Sequence, residues 1–329
     1  MATTGELRFV TYLTVANQLL MWKYTQIFGG PCSSCWQFSP PHILTVPKLN
    51  ENTMKRLHLR YLVMLTILGL FTIVTCAQSP SKRGIVLSDL TWIEAEKALT
   101  PDTVVVIPLG AAAKEHGPHL RLDNDLSLAK YYTERVLRES NVVIAPTITY
   151  HFYPAFLEYP GSTHLRFETA RDLVVDIVKS LAAYGPRRFY ILNTGVSTMR
   201  PLRASAEMLA KDGILMKFTD VFEVDKKIDP NLLKQARGTH ADEAETSMML
   251  YMYPKRVNMK LAVKADTSPD DPGPLTRKKG APGVFTPSGV WGDATLATRE
   301  KGKILVEEAV KTILKDIAQT RTADLPVVH

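Results

Sequence analysis

The stretch TVVVIPLGAAAKEHGPHLRLDND, Thr103 to Asp125, decides the reading of the fold. Its first seven residues are a continuous, mostly β-branched apolar run, the pattern of a strand covered on both faces. Directly beyond it stand Lys114, Glu115, His116, His119, Asp123 and Asp125, broken by the turn signal Gly117-Pro118. Surface loops are polar, but they rarely collect two histidines and three acids at the end of a buried strand.

Outward from this point the chain alternates. Thr91 and Glu94 have capping-box spacing and open a short helix to Leu99. Leu126 to Arg138 has helical spacing, and NVVIAPTITY (Asn141 to Tyr150) reads as a second strand. A helix from Glu168 to Tyr184 stops at Gly185-Pro186, and RRFYILN is a third strand. Pro201 to Lys211 reads as helix, ILMKFTDVF as a fourth strand, and His240 to Tyr253 and Asp293 to Ala318 as helices. Such alternation predicts an α/β fold with a mostly parallel sheet and helices on both faces. In these sheets the working residues sit beyond the strands' C-terminal ends, where the opening stretch lies.

Two long irregular segments interrupt the pattern. Tyr150 to Phe167 holds six aromatics, and Lys264 to Asp293 holds five prolines and five glycines. The first is too aromatic for disorder and reads as a pocket wall carrying Tyr153, Tyr159 and His164; the second ends near Trp291, placed to close over a small ligand.

The chain has 329 residues and a net charge of +7, but the first 77 residues hold six Lys/Arg against two acids. Only +3 is left to the other 252 residues, with no basic-aromatic stripe, so nucleic acid is not an expected partner. Met54 to Gln78 has the layout of a secretory signal: Lys55, Arg56 and Arg60, an apolar run from Tyr61 to Val74, then Thr75-Cys76-Ala77. This predicts a non-native upstream extension over 1–53, a signal peptide over 54–77 and a single domain over 78–329, secreted or periplasmic. A lipid on Cys76 or an uncleaved anchor are the alternatives. Cys32 and Cys35 form a lone CxxC pair, too little for zinc.

A divalent metal accepts histidine nitrogen and carboxylate oxygen. His116 and Asp125 are nine apart, a distance a loop can fold onto one ion, and one Asp can bridge two. A second cluster, THADEAETS, puts His240 and Glu243 three apart at a predicted helix start, on one face, as ligand plus proton shuttle. Blander roles stand beside these: His119, His151 and His164 as loop-fixing hydrogen bonders, Glu115 as a solvated charge, Asp242 and Glu245 as complements of the helix dipole.

PLGAAAKEHGPHLRLDND, YPGST, HADEAETSMMLY and GVWGDATLATREKG together resemble the creatininase (creatinine amidohydrolase) family, over roughly Val104 to Gly302. The resemblance implies a three-layer α/β/α sandwich, commonly a hexamer. It also implies one or two divalent ions per subunit, zinc or manganese, and hydrolysis of a small cyclic or linear amide by metal-activated water. It carries over His116 and the bridging Asp125 as ligands, with Glu115 and Glu243 as further candidates, and His240 as the proton-handling residue with Glu243 beside it. Two departures stand out. Lys114 occupies the place of a ligand glutamate, with Glu115 next door, and NTGVST (Asn193 to Thr198) puts Gly195 and Ser197 where ligands are usual. His151 or His164 are candidates to fill that gap. The expected function is therefore a metal-dependent amidohydrolase; the alternative is a non-catalytic periplasmic small-molecule binder that retains the fold.

Overall fold

The computed structural model describes residues 83–265 and 273–328. The expectations for 1–77, including the signal peptide and Cys76, lie outside the described residues. Among the described residues, no helix is long and apolar enough to cross a membrane.

Five parallel strands form the central sheet: β1 (Ile85–Val86), β2 (Val104–Leu109), β3 (Val143–Ile144), β4 (Arg188–Asn193) and β5 (Leu215–Phe218), in the order β1-β3-β2-β4-β5. Every residue of β2 is buried, as its unbroken apolar run demands. Its side chains alternate between two cores. Val105, Ile107 and Leu109 pack with α3 (Phe167–Ala182) and α4 (Met199–Ala210). Val104 and Val106 pack with α2 (Asn124–Glu139) and α7 (Arg299–Thr322) on the other face. The result is the expected α/β/α layering. α1 (Trp92–Ala98) carries the predicted Thr91/Glu94 capping box.

The chain leaves β2 for β3 on one side and returns to β4 on the other, so the loops after β2 and β4 diverge at a topological switch point, the usual place for a ligand crevice.

The structure corrects four sequence expectations. The strand in Asn141–Tyr150 pairs over two residues only, because Pro146 has no N–H to donate; Ile148 rejoins β2 at Leu109 through a single bridge. The strand expected over ILMKFTDVF stops at Phe218, and Val221–Asp225 forms a short helix, α5, capped by Asp220. The helix expected from Asp293 begins at Arg299, after the two-residue strand Gly292–Asp293 and a 3-10 turn. The helix expected from His240, α6 (Glu243–Met252), starts three residues late, because Ala241 takes a left-handed conformation at φ 48° and Asp242 caps the helix instead.

α6 and α7 cross in close contact, and the glycine at the crossing is required: a Cβ on Gly302 would lie 1.8 Å from the carbonyl oxygen of Ser247. Gly302→Ala forces the two helix backbones apart. It is expected to destabilise the fold by about 1–3 kcal/mol, read as a lower urea midpoint. A midpoint equal to wild type would show that the crossing is not tight.

Candidate active site

Three segments build the site: the loop after β2, the loop after β4 and the turn into α6. The first is fixed by its backbone. Lys114 N–H donates to the Leu122 carbonyl, Glu115 N–H donates to Ser162 Oγ, and Leu126 N–H donates to the Ala111 carbonyl. Gly110 is needed where this loop leaves the strand, since a Cβ there would meet the Asp125 carbonyl at 2.4 Å.

Asp125, in the first turn of α2, is buried and held from two sides: Lys114 Nζ lies 2.7 Å from Oδ2, and His116 Nε2 lies 2.9 Å from Oδ1. Burial alone would raise the Asp125 carboxyl, but Lys114 and then His116 more than reverse this and hold it far below the carboxylate range. Burial lowers Lys114 in turn, and Asp125, with Glu245 behind it, carries its pKa above the ordinary lysine value.

Glu115 points the other way. Its Oε2 is 3.0 Å from His240 Nε2, and its Oε1 accepts the Gly117 N–H. Burial raises Glu115 and lowers His240, yet their mutual contact outweighs both, so the carboxyl ends lower and the imidazole higher than usual. Glu115 is thus a buried partner of His240, not a solvated charge. The backbone of His240 forms a two-hydrogen-bond bridge with Trp291, and its ring packs on Phe156 at 4.5 Å. Glu245 closes the group: it accepts the Ala241 N–H and lies 3.8 Å from His240 Nδ1.

Glu243 does not join them. Its fully buried carboxylate accepts the N–H groups of Lys234 and Gln235 and pairs with Lys301. The expectation that it shares a helix face with His240 fails because His240 precedes the helix. Glu245, read from sequence as a dipole complement, takes the place assigned to it. An acid at the fifth residue after a histidine would have flagged it had the helix start been placed correctly.

The other candidates have structural roles. His119 Nε2 bonds Thr246 Oγ1, His151 Nε2 donates to the Ala170 carbonyl, and His164 Nδ1 accepts the Tyr153 N–H. None fills the gap at Gly195, where Ser197 Oγ donates to the Phe152 carbonyl and Asn193 is bonded to Gly195 and Thr198. A cavity of about 890 Å³ opens above the site, with Lys114, His240, Glu245 and Trp291 in its wall and a largely apolar lining that includes Tyr132, Met248 and Ile313. Of the four residues expected to line the pocket, Trp291 does so. Tyr153 lies under Lys114, 5.9 Å from Nζ, Tyr159 donates its hydroxyl to the Thr286 carbonyl, and His164 stays within its loop.

His116, His240 and Glu245 each offer a donor atom within 4.8 Å of the others. Their outer contacts fit a cation. His116 Nδ1 bonds the Lys114 carbonyl, which can only accept, and His240 Nε2 bonds Glu115, so each ring has one nitrogen anchored on an acceptor and one left for an ion. His116 Nε2 faces Asp125 Oδ1 at 2.9 Å, a contact that needs a proton or a cation between the two atoms. The composition, two histidines and one carboxylate, is that of known catalytic zinc sites.

The creatininase family model, described as creatinine amidohydrolase, matches residues 88–317. The creatinine amidohydrolase of Pseudomonas putida is 26% identical over 270 residues, covering 72% of this chain and 97% of that protein. The 3-dehydro-scyllo-inosose hydrolase of Thermotoga maritima is also 26% identical, over 276 residues, covering 72% of this chain and 84% of that protein. Among solved structures, a creatininase mutant of the Zn-Zn type superposes with a TM-score of 0.61 at 23% identity, over 73% of this chain and 99% of that one.

The two neutral histidines of the frame make stability depend on pH. Burial lowers His119 and His151 from 6.5 to about 4. The unfolded chain therefore takes up protons first, and stability falls as pH drops from 6.5 towards 4, with no effect above 7. For His151, fully buried, the loss is expected to be about 2–3 kcal/mol by pH 4. His151→Gln should flatten the dependence of the urea midpoint on pH; an unchanged slope would mean that His151 is not held neutral.

Proposed function

The chain belongs to the creatininase family, and from that premise we propose that it is a hydrolase acting on a small amide, cyclic or linear, with a divalent cation held by His116, His240 and Glu245. The observation that carries this is the convergence of those three donors at the switch point of the sheet, with His240 and Glu245 in the wall of a largely apolar cavity. A divalent cation supplies Lewis-acid polarisation of a carbonyl and makes water a better nucleophile.

The chain's own groups do the rest. Glu115 fixes the tautomer of His240 by accepting at Nε2, and the Lys114 carbonyl fixes that of His116. Lys114, in the cavity wall, presents a fixed positive charge where negative charge grows on the carbonyl oxygen. The apolar lining excludes water and favours a substrate with an apolar portion. Zinc or manganese suits the donor set. An exported, homo-oligomeric form, hexameric by family resemblance, is part of the same proposal. One observation favours the non-catalytic binder: the Lys114–Asp125 ion pair takes up a carboxylate that would otherwise hold metal.

Two neighbouring glutamates separate the readings. Glu245→Gln is expected to leave the fold intact while lowering bound metal and turnover of a panel of small amides, creatinine among them, by at least about 100-fold. Glu243→Gln is expected to unfold more easily, by about 3–5 kcal/mol, because Lys301 loses its buried partner. Metal and thermal midpoint, measured on both variants, check this. Full metal in Glu245→Gln, or turnover that survives a chelator, would overturn the proposal.

A further inference from the structure

The buried charges of the site do not balance. Three carboxylates, Asp125, Glu115 and Glu245, surround the two imidazoles, whose ring centres lie 5.1 Å apart, with a single ammonium, Lys114. Asp242, also in the cavity wall, is spent on the N–H groups of Ala244 and Glu245 as the helix cap. A second divalent ion would have to share Asp125, but the side of that carboxylate away from His116 is already filled: Lys114 Nζ sits 2.7 Å from Oδ2. In the loop after β4, Gly195 has no side chain and Ser197 Oγ is turned to the Phe152 carbonyl, so neither is placed to hold an ion.

From this we infer that the Lys114 ammonium occupies the place of a second divalent cation beside Asp125, so that the site takes one ion and carries its other positive charge in the polypeptide. The inference rests on the proposed metal-dependent hydrolase and says how its charge is built. The lysine is braced for the role. Its backbone is bonded to Leu122, its ammonium lies 4.8 Å from the Phe156 ring centre, and its side chain is buried. A tethered ammonium cannot leave the site as an ion can, so this half of the site is insensitive to chelators.

The test counts ions. The full chain, wild type and Lys114→Glu, is loaded with excess Mn²⁺ and desalted. Metal per chain is then read by plasma mass spectrometry, and the manganese by electron paramagnetic resonance. Wild type is expected to hold one ion with the six-line signal of isolated manganese. Lys114→Glu replaces the ammonium with a carboxylate and is expected to hold two, with an exchange-coupled signal. Two coupled ions in wild type would overturn the inference and leave the hydrolase reading standing. A folded Lys114→Glu protein that gains no ion would also overturn it. No ion in wild type would overturn both the one-ion count and the hydrolase reading. Should Lys114→Glu fail to fold, the wild-type count and signal still decide, and Lys114→Gln is expected to keep one ion without the fixed charge.

Discussion

A lysine ammonium held against an aspartate, both out of water, is the interaction on which the site depends. Burying either charge alone costs several kcal/mol, and removing one partner of such a pair costs about 3–5 kcal/mol, because the other is left uncompensated. A buried pair adds little stability by itself, so its presence has to be explained by what it enforces. Here it pins the loop after β2 to the first turn of α2. His116 stands between the two, bonded to the Lys114 carbonyl on one ring nitrogen and facing Asp125 on the other. The loop cannot relax without exposing a charge to an apolar core.

The second support is the entry to α6. A left-handed residue other than glycine is uncommon, and Ala241 sits in that conformation while fully buried. It is sustained by what surrounds it. Its N–H is taken by Glu245, Asp242 caps the helix, and His240 is stitched to Trp291. The turn lets His240 and Glu245 face the same space although a continuous helix would separate them. Behind it, Lys301 of α7 holds Glu243, and the Gly302 crossing brings the two helices close enough for that ion pair. Stability is spent at Ala241 and recovered at the α6–α7 contact.

The sequence carried the layered fold because its central strand is apolar on both faces and its helices repeat at i and i+4. His116, Asp125 and His240 stand out in the sequence for the same reason: they follow a buried strand or a glycine-rich turn, where unpaired chemistry is costly without a purpose. Glu243 and Glu245 were not separable. Two acids two residues apart in one helical turn differ by about 200° around the axis, so a three-residue error in the helix start exchanges their roles. The start was hidden because Ala241 carries no sequence mark of a left-handed turn; glycine or asparagine would have shown it. The short strands β1 and β3 were illegible for another reason: pairing is set by the neighbours' backbone, not by a two-residue pattern.

Lys114 and Glu115 show how one register step partitions charge. Adjacent residues in extended chain point to opposite sides. The loop from Gly110 therefore delivers Lys114 to Asp125 and Glu115 to His240, and neither can be moved without moving the other. A bulge in the loop would bring Glu115 to the vacant ligand position. A bulge would also carry Lys114 away from Asp125, leaving two carboxylates and no cation in an apolar enclosure, a worse electrostatic state by at least the cost of one unpaired buried charge. The observed register avoids that cost: the basic residue meets the acid on α2, the acidic residue meets the histidine before α6, and both contacts are buried. The lysine is thus the residue that makes the rest of the loop electrostatically possible, not a lesion in a ligand set.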